Sequence, residues 1–319
     1  MTEELTIYKD QVLVHELPEI FHYWSNKFLR PIIQDAGYED ITSFFVSNLM
    51  ISGQRTGQQP LRFVSLGSGN CDLEIQIAQK LLSSGLEEFT IECLDVNLTM
   101  LDRGKENAKV NGVTRNLLFN EIDLNLWSPT NIYDSVLANQ SLHHIVELEH
   151  VFEQIKKCLH NDGSLIISDM IGRNGHQRWP EALNIVDKYW KELPYNKKYN
   201  HLLKRFENYY ENWDCSREGF EGIRSQDILP LLIKMFKCET FIGFGNVIDI
   251  FVDRCFGHNF NSSSDLDKEL IDRLHKEDEC AFKSGELKPT HLLGVFVNCL
   301  HREPYFSRGI SPLSAVTET

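Results

Sequence analysis

The 319 residues carry 32 basic and 46 acidic side chains, a formal charge of −14, and 42% of them are hydrophobic. That length supports a sizeable core, as one large domain or a domain with an elaboration. The charge argues against sequence-independent nucleic-acid binding, which rests on phosphate neutralisation by Lys and Arg, and against an anionic membrane surface.

Residues 1–57 read as helical. Leu17, Ile20, Phe21 and Trp24 recur at helical spacing, as do Ile41, Phe44, Phe45 and Leu49, with Gly37 as the break between them. Thr2-Glu3-Glu4 does not open a signal peptide, and no apolar run reaches membrane-spanning length. Gly53 to Pro60 reads as a polar loop. Strands predicted at 62–66, 90–95, 117–122, 133–138 and 164–169 then alternate with helices near 72–84, 98–111 and 147–159. This is the rhythm of βαβ units in a parallel sheet. Residues 172–226 lose that rhythm, are rich in Trp, Tyr, Asn and Arg, and read as an inserted helical cap. A helix over 227–236, strands at 238–244 and 291–299, and a polar helix near 264–284 follow. The tail, 304–319, reads as loose. The expected organisation is an N-terminal helical region (1–57), a core (58–171), the cap (172–226), the remainder of the sheet with a helical insertion (227–303) and the tail. The eight cysteines are scattered with no C-x-x-C pair, which predicts free thiols, a reducing cytoplasmic location and no zinc site.

The chemistry begins at Arg62-Phe63-Val64-Ser65-Leu66-Gly67-Ser68-Gly69-Asn70-Cys71-Asp72, an apolar strand running through a glycine turn into a helix. Glycines there permit positive φ and close approach of a ligand, and the helix points free N–H groups at the turn. A second strand ends in Asp95, 26 residues past Gly69, where an acid can accept the hydroxyls of a ribose. A dinucleotide fingerprint needs a third glycine where Asp72 stands, and Asp72 would repel a diphosphate. A phosphate-cradling G-x-x-x-x-G-K-[ST] is also missing. A nucleoside without phosphates fits better.

At these residues the chain resembles the class I methyltransferases, whose first motif is an acid, a spacer and G-x-G-x-G. Ser65 stands in place of the acid and Cys71 in place of the third glycine. The resemblance implies a seven-stranded, doubly wound, Rossmann-like α/β sheet with its last strand antiparallel. It implies S-adenosylmethionine as cofactor and S-adenosylhomocysteine as product. Gly67, Ser68, Gly69 and Asn70 would shape the methionine and ribose loop, and Asp95 with Val96 would hold the ribose. Asp123 would read the adenine amino group while Leu124 packs on the base. Asn139 and Gln140, leaving the fourth strand, would face the cofactor, and His143 and His144 the methyl-transfer point as catalytic residues. Family members often close an N-terminal helix over the cofactor, which makes Tyr23 and Arg30 candidates for its methionine end.

Arg173 and His176 (with Arg178) could hold an anionic group of a small-molecule substrate. Tyr195, Tyr209 and Arg217 lie in a cap stretch whose aromatics and fixed charges suit a pocket. Metal is not expected: H-x-x-x-H and H-E-x-x-H are missing, and the adjacent His143 and His144 cannot easily share an ion. Methylation of protein or RNA is one alternative, and a cofactor-binding subunit without catalysis is another. A nicotinamide-dependent dehydrogenase is argued against by Asp72.

Overall fold

The computed structural model describes residues 17–217 and 221–317. The start of the N-terminal helical region and the residues read for a signal peptide lie outside the described residues. In chain order the strands are β1 (Leu61–Leu66), β2 (Phe89–Asp95), β3 (Leu117–Glu121), β4 (Tyr133–Asn139), β5 (Leu159–Met170), β6 (Tyr199–Asn200), β7 (Arg205–Phe206), β8 (Lys237–Phe244), β9 (His291–Val297) and β10 (Tyr305–Phe306). The helices are α1 (Glu19–Trp24), α2 (Arg30–Asp35), α3 (Ile41–Thr56), α4 (Asp72–Ser83), α5 (Leu98–Val110), α6 (Leu148–Cys158), α7 (Pro180–Glu192), α8 (Ser225–Met235), α9 (Val247–Val252) and α10 (Asp265–Ser284).

The main sheet runs β10-β8-β9-β5-β4-β1-β2-β3. All its neighbours are parallel except β9, which is antiparallel to both β5 and β8. The chain walks outward from β1 through β2 to β3, then returns to place β4 on the other side of β1. The order therefore reverses between β1 and β4, and in such sheets ligands sit outside the carboxyl ends of the strands at that reversal.

Alternation within the strands divides the core between the two faces of the sheet. Phe63, Leu137 and Ile166 join one cluster, packed with α3, α4 and α7. Val64, Val136, Leu165 and Ile167 join the other, packed with α6 and α8. Burial on both faces explains why these strands read as nearly continuous apolar runs.

Three expectations change. The sheet has eight strands, because the stretch expected to be a loose tail adds β10 to the edge, and Arg308 in it bonds to the Gly243 carbonyl and to Glu279. The polar loop before β1 starts at Gly57 rather than Gly53. Asp40 and Ser43 form a reciprocal cap at the start of α3, and α3 continues to Thr56, with Gly57 at φ +63° as its left-handed stop. Among the described residues of the cap the long helix is α7, joined by single 3-10 turns, the start of α8 and a two-stranded hairpin of β6 and β7. No helix among the described residues is long and apolar enough to cross a membrane. All eight cysteines are free.

Candidate active site

The turn after β1 places Gly67 and Gly69 at φ +67° and +53°. A Cβ on Gly67 would come within 2.6 Å of the Ser141 Cβ, so the loops leaving β1 and β4 touch at the sheet's reversal. Ser68 N–H donates to the Leu94 carbonyl at 2.9 Å. The Asp95 carboxylate then ties the turn to β2, accepting from Gly69 N–H at 2.7 Å and Asn97 N–H at 2.8 Å. Burial raises its pKa against the effect of these donors. Gly67, Ser68, Gly69, Asp95, Val96, Asp123, Leu124, Asn139 and Gln140 are all half-buried. They lie at the carboxyl ends of β1 to β4, as a cleft lining requires. At the same place two buried oxygens, Asn70 Oδ1 and Ser141 Oγ, have no hydrogen-bond partner, and such atoms in a native protein call for a ligand or water.

Both departures from the glycine motif have structural counterparts. The Ser65 hydroxyl donates to Glu74 Oε1 at 2.6 Å, and Glu74, on the first turn of α4, is 2% exposed. A buried acid from the helix nine residues on thus lies against the β1 position where the motif has one. Burial pushes its pKa up to about 7 against the Ser65 hydrogen bond, and Asp72 and Asp95 push it the same way. Cys71 sits at φ +58°, a region that favours glycine. A Cβ on Gly104 of α5 would lie 3.0 Å from its Sγ and 3.1 Å from the Asn70 carbonyl. Gly104 is the small residue that gives the bulkier loop its room.

Beside this cradle lies a cluster of histidines and carboxylates. Asp169, near the carboxyl end of β5, is fully buried and accepts from the Ser141 and Leu142 N–H groups at 3.0 and 2.7 Å. Its Oδ1 is 2.6 Å from His143 Nδ1. Glu221 reaches in from the cap, 3.7 Å from His143 Nε2, 3.5 Å from His144 Nδ1 and 3.1 Å from His176 Nε2. Backbone bonds hold the three segments together: Ile223 N–H donates to the His143 carbonyl at 3.0 Å and Gly175 N–H to the Gly222 carbonyl at 2.8 Å. Gly222, at φ +65°, has no room for a side chain, because a Cβ would meet His176 Cε1 at 2.9 Å.

Burial opposes charge on His143, but Asp169 and Glu221 outweigh it and raise its pKa to about 10. His144 is lowered to about 4 by burial and by its neighbour His143, and burial lowers His176. Asp169 and Glu221, despite their burial, stay ionised through these histidines. The arrangement can hold a nucleophile's proton, or a cation, between fixed nitrogens and a carboxylate.

Other expected site residues are placed elsewhere. The Tyr23 hydroxyl donates to Asp272 of α10 at 2.9 Å, with Lys27 Nζ on both groups, while Trp24 is buried in the core. Arg30 faces Glu39 at 3.7 Å, next to Asp40. Asp40 pairs with Lys80, near the far end of α4 from the glycine turn, so the lid reading of Tyr23 and Arg30 is not supported. Tyr195 and Tyr209 are exposed, Tyr195 stacking on Phe206, and exposed Arg217 pairs with Asp214. These three therefore line the surface rather than a pocket. Arg173 lies over the Trp179 ring and donates to the Arg178 carbonyl. Arg178 is buried, donating to the Asn246 and His176 carbonyls and pairing with Asp249 at 3.4 Å, so its guanidinium is engaged within the fold. Asp123 does lie among the cleft residues at the end of β3, where its Oδ1 also caps a turn by accepting from Asn125 N–H at 2.9 Å. His143, His144 and His176 do meet. Glu74, Asp169 and Glu221 were not singled out in the sequence. Asp169 had a signal, as an acid ending an apolar strand; Glu221, 78 residues past His143, had none.

Residues 59–212 match the model of a methyltransferase domain. No curated protein sequence matches the chain. Among solved structures, the StiE O-MT is 14% identical, with 92% of this chain and 86% of that one covered and a TM-score of 0.47. An O-methyltransferase of a Brevibacillus brevis trans-AT PKS multienzyme, in complex with S-adenosyl-L-homocysteine, is 10% identical (89% and 80% covered, TM-score 0.45). An S-adenosylmethionine-dependent methyltransferase from Thiobacillus denitrificans is 13% identical (88% and 98%, TM-score 0.41). Likenesses this distant carry nothing about substrate to this chain. Residues 59–212, just under half of the chain, thus carry a methyltransferase domain.

Proposed function

We propose that this enzyme moves the methyl group of S-adenosylmethionine to a small molecule whose nucleophilic atom docks against the His143–Glu221 cluster. The observation that carries this reading is the contact of the two loops at the sheet's reversal. It sets the half-buried cradle around Gly67, Gly69 and Asp95 directly beside the histidines. Asp95 takes the ribose hydroxyls and Asp123 the adenine amino group. His143 and His144 are the catalytic residues, with Asp169 fixing the ring of the first. The nucleophile attacks the methyl carbon in line, the carbon–sulfur bond breaks with its electron pair going to sulfur, and the acceptor's proton passes to His144, which burial and His143 keep neutral, and on to water. Orientation supplies much of such a rate enhancement, and a placed acid–base group adds roughly 10²–10⁴-fold.

The test is incubation of the protein with methyl-deuterated S-adenosylmethionine and a metabolite extract, followed by mass spectrometry. A trideuteromethyl group on a small molecule is expected. Label confined to protein or RNA rejects the small-molecule reading.

Glu74 supplies the negative charge that faces the ammonium end of the cofactor. The groups around it are the Ser65 hydroxyl, the carboxylates of Asp72 and Asp95, and the Cys71 and Cys93 thiols. The ammonium requires the ionised form, and the pKa in the free protein is about 7. Affinity for S-adenosylhomocysteine is therefore full above pH 8 and falls roughly tenfold per unit below pH 7. Glu74→Gln should weaken binding about tenfold at pH 8 and flatten this slope. Calorimetric titrations across pH 5.5–8.5 check it, and an unchanged slope in the variant removes Glu74 from cofactor binding.

A further inference from the structure

We infer that the same cluster is a binding site for a divalent transition metal, held by His143 Nε2, His144 Nδ1 and a Glu221 carboxylate oxygen, which in turn binds the acceptor. This inference rests on the reading of the cluster as the acceptor end of the site. Against the expectation that adjacent histidines cannot easily share an ion, His143 and His144 each bring a ring nitrogen within 4.8 Å of the other and of a Glu221 oxygen. Glu221 Oε1 lies 3.7 Å from His143 Nε2 and its Oε2 lies 3.5 Å from His144 Nδ1, against the ~3.3 Å that separates ligands around a tetrahedral ion with metal–ligand bonds near 2.0–2.1 Å.

Two further features fit a metal better than a hydrogen-bonded cluster alone. Metal-bound imidazoles typically donate their second ring N–H to a carboxylate, which fixes tautomer and ring plane. Asp169 stands in that position, 2.6 Å from His143 Nδ1, itself locked by the Ser141 and Leu142 N–H groups. The ligands are also fixed in place: the 141–144 turn, the 174–176 turn and residues 221–224 are bonded to one another through backbone, although they lie far apart in sequence. His176, 3.1 Å from Glu221, orients the carboxylate. Two imidazoles and one carboxylate favour zinc, cobalt or manganese over magnesium or calcium, which prefer all-oxygen shells. A three-residue set leaves a coordination position for an acceptor oxygen. A bound cation makes that oxygen more acidic, so its proton passes to water, the oxygen–methyl bond forms, and the electron pair of the broken carbon–sulfur bond stays on sulfur.

The experiment adds cobalt(II) chloride to metal-free full-length protein and follows visible absorbance together with equilibrium dialysis. One equivalent with visible bands of nitrogen and oxygen ligation is expected. Glu221→Gln, which keeps the side chain's shape, and His144→Ala should each weaken binding more than tenfold. Asp169→Asn should weaken it roughly 10–100-fold, and His301→Ala, on the surface, should leave it unchanged. No saturable binding overturns the inference, and so does one equivalent bound equally well by Glu221→Gln and His144→Ala. Parallel titration with S-adenosylhomocysteine separates the two readings. Metal-free protein that binds it and transfers label at the metal-loaded rate removes the metal and leaves the methyltransferase reading standing. Cobalt on these ligands without S-adenosylhomocysteine binding does the reverse.

Discussion

Asp95→Ala is expected to lower affinity for S-adenosylhomocysteine by roughly 10²–10³-fold, the loss of about 3–4 kcal/mol. The carboxylate has two tasks. It accepts from Gly69 and Asn97 N–H groups and so holds the glycine turn against β2, and in the proposed complex it takes the ribose hydroxyls. Hydrogen bonds to a charged group contribute about 1.5–3 kcal/mol each, so losing two of them accounts for the drop. Asp95→Asn keeps an acceptor and should lose only about tenfold. Calorimetry gives the affinities and thermal melting the structural share. A variant with a lowered melting temperature and unchanged affinity would place Asp95 in the turn alone.

His143→Ala is expected to cut turnover about 10²–10⁴-fold, the range for loss of a positioned acid–base or ligand group, with the affinity for S-adenosylhomocysteine within a fewfold of wild type. Asp169→Asn should follow it. Its carboxylate fixes His143 and also holds the Ser141 and Leu142 N–H groups, and an amide cannot accept at both atoms. Asp169 acts on the reaction through His143, so the double variant should be no slower than His143→Ala alone. Single-turnover rates with the acceptor found by label transfer check this. Additive losses would mean that Asp169 acts on the reaction independently of His143.

The sheet was legible because burial on both faces writes strands as apolar runs. Leu61–Leu66, Phe89–Asp95 and Tyr133–Asn139 begin and end within a residue of where the pattern places them. Gly67, Gly69 and Asp95 stood out for a similar local reason: a turn with positive φ and an acid closing the next strand are short-range requirements. What could not be read were pairings across sequence. Ser65 stands where the motif has an acid, and the acid lying against it is Glu74 of the following helix; Cys71 stands where the motif has a glycine, and Gly104 of α5 leaves it room. Glu221 reaches the histidines only because the 221–224 segment returns to the 141–144 turn. Tyr23 and Arg30 show the converse. Their types suited a cofactor lid, but type does not fix direction, and Tyr23 packs toward α10 while Arg30 pairs with Glu39.

The most direct test of the account is a crystal structure of the protein with S-adenosylhomocysteine. The account predicts ribose hydroxyls on Asp95, adenine beside Asp123, and the sulfur opening toward His143, His144 and Glu221. A ligand whose sulfur points away from that cluster, or one bound outside the turn between Gly67 and Asp95, would contradict the claim that cradle and cluster are the two halves of one active site.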